Sequence, residues 1–436
     1  MTILIRGGRL MDPASGLDKV ADLLIRNDQV AAIGENLTDN GVDTVIDARG
    51  KIVAPGFIDL HVHLRVPGQE YKEDMRSGTA AAVRGGFVAV ACMPNTNPVI
   101  DNVITVTYVK DQAAAQALCK VWPTGAITKG SKGEELAEIG EMRAAGIVAI
   151  TDDGRPVEKA ETMRQAMIYA KQFGLMVMDH CEDKSLSGGG AMHFGKVSSL
   201  LGIRGIPAAS EELHVARDIL LSLETGAHIH MQHLSSKYSV ELIRWGKQMG
   251  AKVSTEATPH HFTLTDQIVA DMNYSTNTKM NPPVRTEADR QAILAGLADG
   301  TIDVIATDHA PHHNDEKEVE YQNASFGITG LETAVGLTLD RLVRTGVITL
   351  SQMVELMSTR PAQLLGVTPP SLTEGAEADV TVFDPAKRWT VLAQEMASKS
   401  KNSPFIGWEL TGAPYATIVS GKLRMLDQQV VDSSWV

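Results

Sequence analysis

Pro55-Gly56-Phe57-Ile58-Asp59-Leu60-His61-Val62-His63-Leu64-Arg65 begins as an apolar β-type run and ends on two histidines one residue apart. Side chains alternate between the faces of an extended strand, so both imidazoles point the same way, roughly 6–7 Å apart along the chain. Two nitrogens at that spacing can reach one metal ion. A strand that ends on such groups is a natural first unit of a parallel α/β fold, whose functional side chains gather at the C-terminal strand ends.

Downstream, apolar β-type segments alternate with helical patterns as far as about Ala362, the texture of βα units. The candidate strands cover residues 57–64, 87–93, 120–127, 147–151, 175–181, 227–234, 252–258 and 303–308. Helical stretches at 158–173, 210–224, 240–249 and 286–298 lie between them, with Gly86, Gly146, Gly174, Gly226 and Gly250 at helix C-termini. Eight units predict an α/β fold of the (β/α)8 TIM-like barrel type. The first 56 residues read instead as short β-segments (3–10, 22–33, 44–53), and β-texture resumes at 379–383 and 416–422. The expected organisation is a small composite β-domain formed by the N- and C-terminal segments, residues 1–56 and 367–436, around a metal-dependent catalytic barrel over 57–366.

The composition of this 436-residue chain, 43% hydrophobic and 21% charged, suits a globular enzyme and excludes disordered, collagenous and coiled-coil classes. A net charge of −13 gives no overall attraction for nucleic acid or anionic lipid, and it obliges an anionic substrate to find local Arg, His or metal charge. Cys92, Cys119 and Cys181 form no CxxC pair, which argues against a disulfide framework and a thiolate metal site and predicts a reduced, cytoplasmic setting. Neither a secretion signal nor an apolar run approaching about 18 residues is seen, so no membrane partner is expected.

Polar residues crowd the predicted strand ends: His61 and His63, Asp153, His180, His233 and Asp308. Imidazole and carboxylate without thiolate suit Zn²⁺, and six ligands suit two ions better than one. Two cations about 3.5–4 Å apart can share a carboxylate, acidify water and polarise a carbonyl, so hydrolysis at an amide-like carbon is the natural reaction class.

The chain resembles the dihydroorotases of the amidohydrolase superfamily, essentially end to end. The resemblance rests on Gly7-Gly8, the stretch from Pro55 to Arg65, Met93-Pro94-Asn95-Thr96, Thr151-Asp152-Asp153-Gly154, Asp179-His180-Cys181-Glu182, His233-Leu234-Ser235, Lys279-Met280-Asn281-Pro282-Pro283 and Ala306-Thr307-Asp308-His309-Ala310-Pro311-His312. It implies interconversion of dihydroorotate and N-carbamoyl-aspartate, the third step of pyrimidine synthesis. It implies that His61, His63 and Asp308 hold the more buried zinc, that His180 and His233 hold a second, and that one carboxylate bridges. A bridging hydroxide then attacks the ring amide carbon, and Asp308 is the catalytic acid/base that carries its proton to the departing nitrogen. Hydantoinases and allantoinases use a carboxylated lysine on strand four, where residues 147–153 offer none. An aspartate must bridge instead: the motif favours Asp153, with Asp152 the open alternative and Lys129 an outsider.

Arg65, two residues beyond His63 on the same strand parity, can present a guanidinium to the substrate carboxylate. Asn95 and His312 match family positions that bind the same group, His63 counts as a substrate contact as well as a ligand, and Asn281, Phe326 and Gly327 match contacts to the pyrimidine ring. The other histidines (His193, His214, His228, His230, His260, His261, His309, His313) are expected in packing, supporting or surface roles, and Cys92 and Cys181 as small buried residues. Residues 313–325 read as a solvated loop placed to cover the site. The expected partners are the small substrate, a second copy in a homodimer, and an aspartate transcarbamoylase. Two other readings compete: a hydantoinase- or allantoinase-type cyclic amidohydrolase, and a non-catalytic scaffold for a transcarbamoylase.

Overall fold

The computed structural model describes residues 1–431. Five strands open the chain: β1 (Thr2–Asp12), β2 (Leu17–Arg26), β3 (Gln29–Gly34), β4 (Thr44–Asp47) and β5 (Ile52–Pro55). Residues 22–33 and 44–53 are each divided rather than continuous. Asn27, at φ 56°, turns the chain between β2 and β3, and Gly50, at φ 77°, turns it between β4 and β5.

The barrel strands follow as β6 (Phe57–Val62), β7 (Phe87–Cys92), β8 (Lys120–Pro123), β9 (Ala149–Thr151) and β10 (Met176–Asp179). A small parallel ribbon, β11 (Met192–His193) with β12 (Gly205–Ile206), interrupts them before β13 (Ile229–Met231), β14 (Val253–Ala257) and β15 (Val304–Ile305). Parallel pairing runs β6-β7-β8 and β9-β10-β13-β14-β15. Bridges between Gly125 and Ile150 and between Val62 and His309 close the ring. Both faces of such strands are covered, and every residue of β6 and β7 is buried.

Several strands stop short of their predicted ends because side chains replace ladder partners. Beyond β8, the amides of Ile127 and Thr128 donate to Asp152 Oδ1 at 2.9 and 3.2 Å. Beyond β15, the Thr307 amide donates to Asp59 Oδ1 at 3.2 Å. The chain leaves the sheet there and aims its polar side chains into the barrel mouth.

The last strands, β16 (Val380–Thr390), β17 (Glu409–Val419), β18 (Lys422–Leu426) and β19 (Gln429–Val430), join β1–β5 in one nine-stranded sheet among the described residues. The seam is antiparallel pairing of β5 with β16. Ile3, Ile5, Leu23, Val53, Val382 and Ile418 pack within it. Phe57 couples sheet to barrel: its amide donates to Thr381 Oγ1 at 3.0 Å and its ring lies 5.7 Å from Phe383. Burying such a ring contributes about 1.5–3 kcal/mol.

Histidines held uncharged within the fold, His261 buried and His228 half-buried, are expected to make it acid-labile. Burial pushes His228, whose Nε2 meets Ser254 Oγ, and His261, whose Nε2 donates to the Pro282 carbonyl, down to about 4. An unfolded histidine titrates near 6.5, so their contribution is complete above that pH and is lost as pH falls towards 4. Urea unfolding at pH 5 is expected to give a free energy lower than at pH 7 by about 2 kcal/mol per such histidine. A flat profile between those pH values would exclude this origin of acid lability.

Candidate metal centre

The strand ends bring His61, His63, Asp153, His180, His233 and Asp308 into one buried cluster, none more than 8% exposed. Asp153 stands in the middle. Its Oδ1 lies 3.4 Å from His61 Nε2, 3.7 Å from His180 Nδ1 and 3.8 Å from His233 Nε2, and its Oδ2 lies 3.4 Å from His63 Nε2. Asp308 Oδ1 is 3.1 Å from His63 Nε2 and 3.5 Å from His61 Nε2. Asp152 turns away, its carboxylate filled by residues 127 and 128. Lys129 pairs at the surface with Glu135 at 3.2 Å.

The donor set fits divalent cations. His61 donates through Nδ1 to Glu256 Oε1 at 2.5 Å, which leaves its Nε2 buried, without a hydrogen-bond partner and facing two carboxylates. His63 is oriented in the same way by Asn95 Oδ1, 2.9 Å from its Nδ1. Lone pairs and carboxylate oxygens converging in a dry space repel one another unless positive charge lies between them. Burial pushes the His61 imidazole down, but Glu256, Asp153 and Asp308 hold it well above its ordinary value, which shows how strongly this space calls for a cation. Two ligand triplets stand close enough to share an ion, His61/His63/Asp308 and His61/Asp153/His233. A third, Asp179/Cys181/Asp218, is already answered by Arg217, 3.2 Å from Asp179 and 2.7 Å from Asp218.

Arg65, His233 and Asp308 all occupy the left-handed backbone region, at φ 61°, 31° and 48°. Such residues cost about 1–3 kcal/mol each and persist only where the surroundings over-determine them. Arg65 therefore arrives by a turn, not by strand parity, because β6 ends at Val62. It is buried, donates from Nε to the Pro311 carbonyl at 3.1 Å, and sets Nη2 3.3 Å from His312 Nε2.

A cavity of ≈ 330 Å³ opens over the cluster, lined by His63, Arg65, Asn95, Asn281, His312, Phe326 and Gly327 together with Gly188, Gly189 and Gly190. Asn95 also supports ligands, donating to Asp153 Oδ2 at 3.1 Å, and Asn281 donates to Glu182 Oε2 at 2.9 Å. Gly327, at φ +127°, is required as glycine: a Cβ there would sit 2.7 Å from that of Ala310.

Residues 313–325 are largely exposed, as a solvated segment would be, but they carry a helical turn and buried anchors. Asn314–Lys317 is helical, Tyr321 is buried, and buried Lys317 donates from Nζ to the carbonyls of Ser325 at 2.8 Å and Gly327 at 3.0 Å. Lys317 is thus the polar side chain that ties the segment to the cavity rim, while its acidic and amide neighbours face water.

Glu256 is the main site residue absent from the sequence reading. It lies on β14, wholly buried, and also accepts from the His233 amide at 3.0 Å and from His230 Nε2 at 3.1 Å. The available signal was a lone glutamate in a strand of buried residues. Glu182, 3.0 Å from His180 Nε2, was overlooked in the same way.

A (β/α)8 barrel with histidines and aspartates able to hold a metal at its strand ends, and a sheet built from both termini, defines an amidohydrolase. Solved structures agree: the chain aligns with the L-hydantoinase of Arthrobacter aurescens (TM-score 0.87, 26% identity, 99% of this chain and 97% of that one). It aligns equally with a dihydropyrimidinase from Brevibacillus agri (TM-score 0.86, 22% identity, 99% and 96%). Within that class, the family described as Dihydro-orotase-like matches residues 50–239. The dihydroorotase of Trichlorobacter lovleyi is 51% identical over 97% of this chain and 99% of its own, and that of Pelotomaculum thermopropionicum is 51% identical over 99% and 100%. The chain belongs to the dihydroorotase family.

Proposed function

We propose that this chain is a zinc-dependent enzyme that opens and closes the ring amide of (S)-dihydroorotate, interconverting it with N-carbamoyl-L-aspartate in pyrimidine synthesis. The observation that carries the choice of substrate is the buried Arg65–His312 pair across the cavity from the carboxylate-histidine cluster. A buried guanidinium in a chain of net charge −13 wants an anion, which dihydroorotate supplies and hydantoin and allantoin lack. The three buried free thiols support a reducing, cytoplasmic setting.

His61, His63 and Asp308 would hold one zinc, His180 and His233 the other, with Asp153 shared; the placement of Asp153 between the two sets supports this division. When bound, the ions supply Lewis acidity and make water acidic enough to attack. Arg65 and His312 take the substrate carboxylate, and Asn281, Phe326 and Gly327 border the ring. Asp308, its Oδ1 3.1 Å from His63 Nε2 and 3.5 Å from His61 Nε2, borders the cavity as a carboxylate that can take a proton there. It takes the proton of the attacking water as the new C–O bond forms, then gives it to the ring nitrogen as the C–N bond breaks.

The test is the isolated chain, its metal measured by plasma mass spectrometry, assayed on dihydroorotate, hydantoin and allantoin. Turnover of dihydroorotate alone is expected, abolished by dipicolinate and restored by zinc. Metal without turnover of any of the three would replace this reading with the scaffold one.

A further inference from the structure

Glu316 stands outside the cavity wall, one helical turn beyond His312, in the short helical segment that follows the last barrel strand. Its carboxylate gathers three donors. Oε2 accepts from His312 Nδ1 at 2.9 Å, while Oε1 accepts from the Tyr71 hydroxyl at 2.9 Å and lies 2.9 Å from Lys72 Nζ. Tyr71 and Lys72 belong to the loop after β6, the loop that also carries Arg65. That loop is fastened to the loop after β15 a second time, through Arg65 Nε and the Pro311 carbonyl at 3.1 Å. Arg65 and His312 thus ride on two loops, and Glu316 is the anion between them.

Burial would raise the Glu316 carboxyl, but His312, Lys72 and Tyr71 hold it well below the ordinary carboxylate range. An ionised carboxylate only accepts, so Nδ1 of His312 donates to Glu316, and the ring must carry a second hydrogen on Nε2 to donate to the Phe326 carbonyl or to a substrate carboxylate. The ring's terminal torsion, otherwise broad and two-fold, is then set. The opposite edge faces the cavity, with Nε2 3.3 Å from Arg65 Nη2 and 2.8 Å from the Phe326 carbonyl.

We propose that Glu316 is a positioning residue for carboxylate recognition: it fixes the His312 ring and clasps the loop after β6 to the loop after β15, so that Arg65 and His312 converge on one carboxylate. Glu316 itself never touches the substrate. The inference rests on the dihydroorotase reading of the cavity.

The experiment compares KM and kcat for dihydroorotate in the zinc-loaded full chain, Glu316→Ala and Glu316→Gln, alongside zinc content and thermal unfolding. Removing a charge-assisted hydrogen bond from the recognition site is expected to raise KM in Glu316→Ala by about 10–100-fold, with kcat within about threefold of the parent. Zinc content and melting temperature should stay as in the parent. Glutamine keeps an acceptor oxygen for Nδ1, so Glu316→Gln should recover most of the affinity, with KM within about fivefold of the parent. An unchanged KM in Glu316→Ala overturns the inference, as does an increase accompanied by lost zinc or a lowered melting temperature. Equal damage from glutamine and alanine overturns the ring-setting role. If the parent turns over no dihydroorotate, the functional reading falls and takes the inference with it; parent turnover with an indifferent variant sinks the inference alone.

Discussion

Asp308→Asn is expected to retain its metal and to turn over dihydroorotate at least about 10³-fold more slowly than the parent, the upper part of the range for losing a positioned proton-transfer group. Asparagine keeps the shape of aspartate and one oxygen for a cation, but it cannot accept and return a proton. The backbone argues for the conservative replacement, since Asp308 sits at φ 48°, a conformation that asparagine and aspartate tolerate better than other side chains. Zinc content measured beside kcat separates the two roles: lost activity with full zinc assigns the proton transfer to this carboxylate. A loss of less than tenfold would move that role to another group facing the cavity.

Glu256→Ala is expected to destabilise the fold by about 3–5 kcal/mol, the range for breaking a buried charge pair from one side. Three buried donors lose their acceptor together: His61 Nδ1, His230 Nε2 and the His233 amide. Because the same carboxylate fixes the orientation of His61 and braces the strained backbone of His233, zinc affinity should fall as well, by about 10–100-fold. Chemical unfolding of the metal-free protein reads the first effect and competition with a zinc-sensitive dye the second. Glu256→Gln, which keeps the shape and one acceptor, should fall between parent and alanine. Parent-like stability in the alanine variant would mean that water replaces the carboxylate without cost.

The ligands were legible because their signal is local. His61 and His63 share a face by strand alternation alone, and each further ligand closes its own apolar run. Glu256 was not legible because its meaning lies in His61, 195 positions away. The choice between Asp152 and Asp153 was likewise beyond a local pattern: adjacent aspartates differ only in that the amides of Ile127 and Thr128 claim the first. The route of Arg65 was misread because alternation holds only while the ladder lasts, and the ladder ends three residues earlier. The eight-unit barrel was readable from periodicity, whereas strand lengths depended on which side chains took over from the ladder.

The antiparallel seam between β5 and β16 also sets an order in time. The Phe57 amide finds its partner on Thr381, 324 positions later. At about 5–20 residues per second, a ribosome leaves the early strands waiting on the order of tens of seconds for the strand that fastens them. Throughout that interval the flank of β5 and the ring of Phe57 stand uncovered, so the nascent chain is at its most adhesive while its barrel is being made. The strand made among the last is the one that ends this exposure.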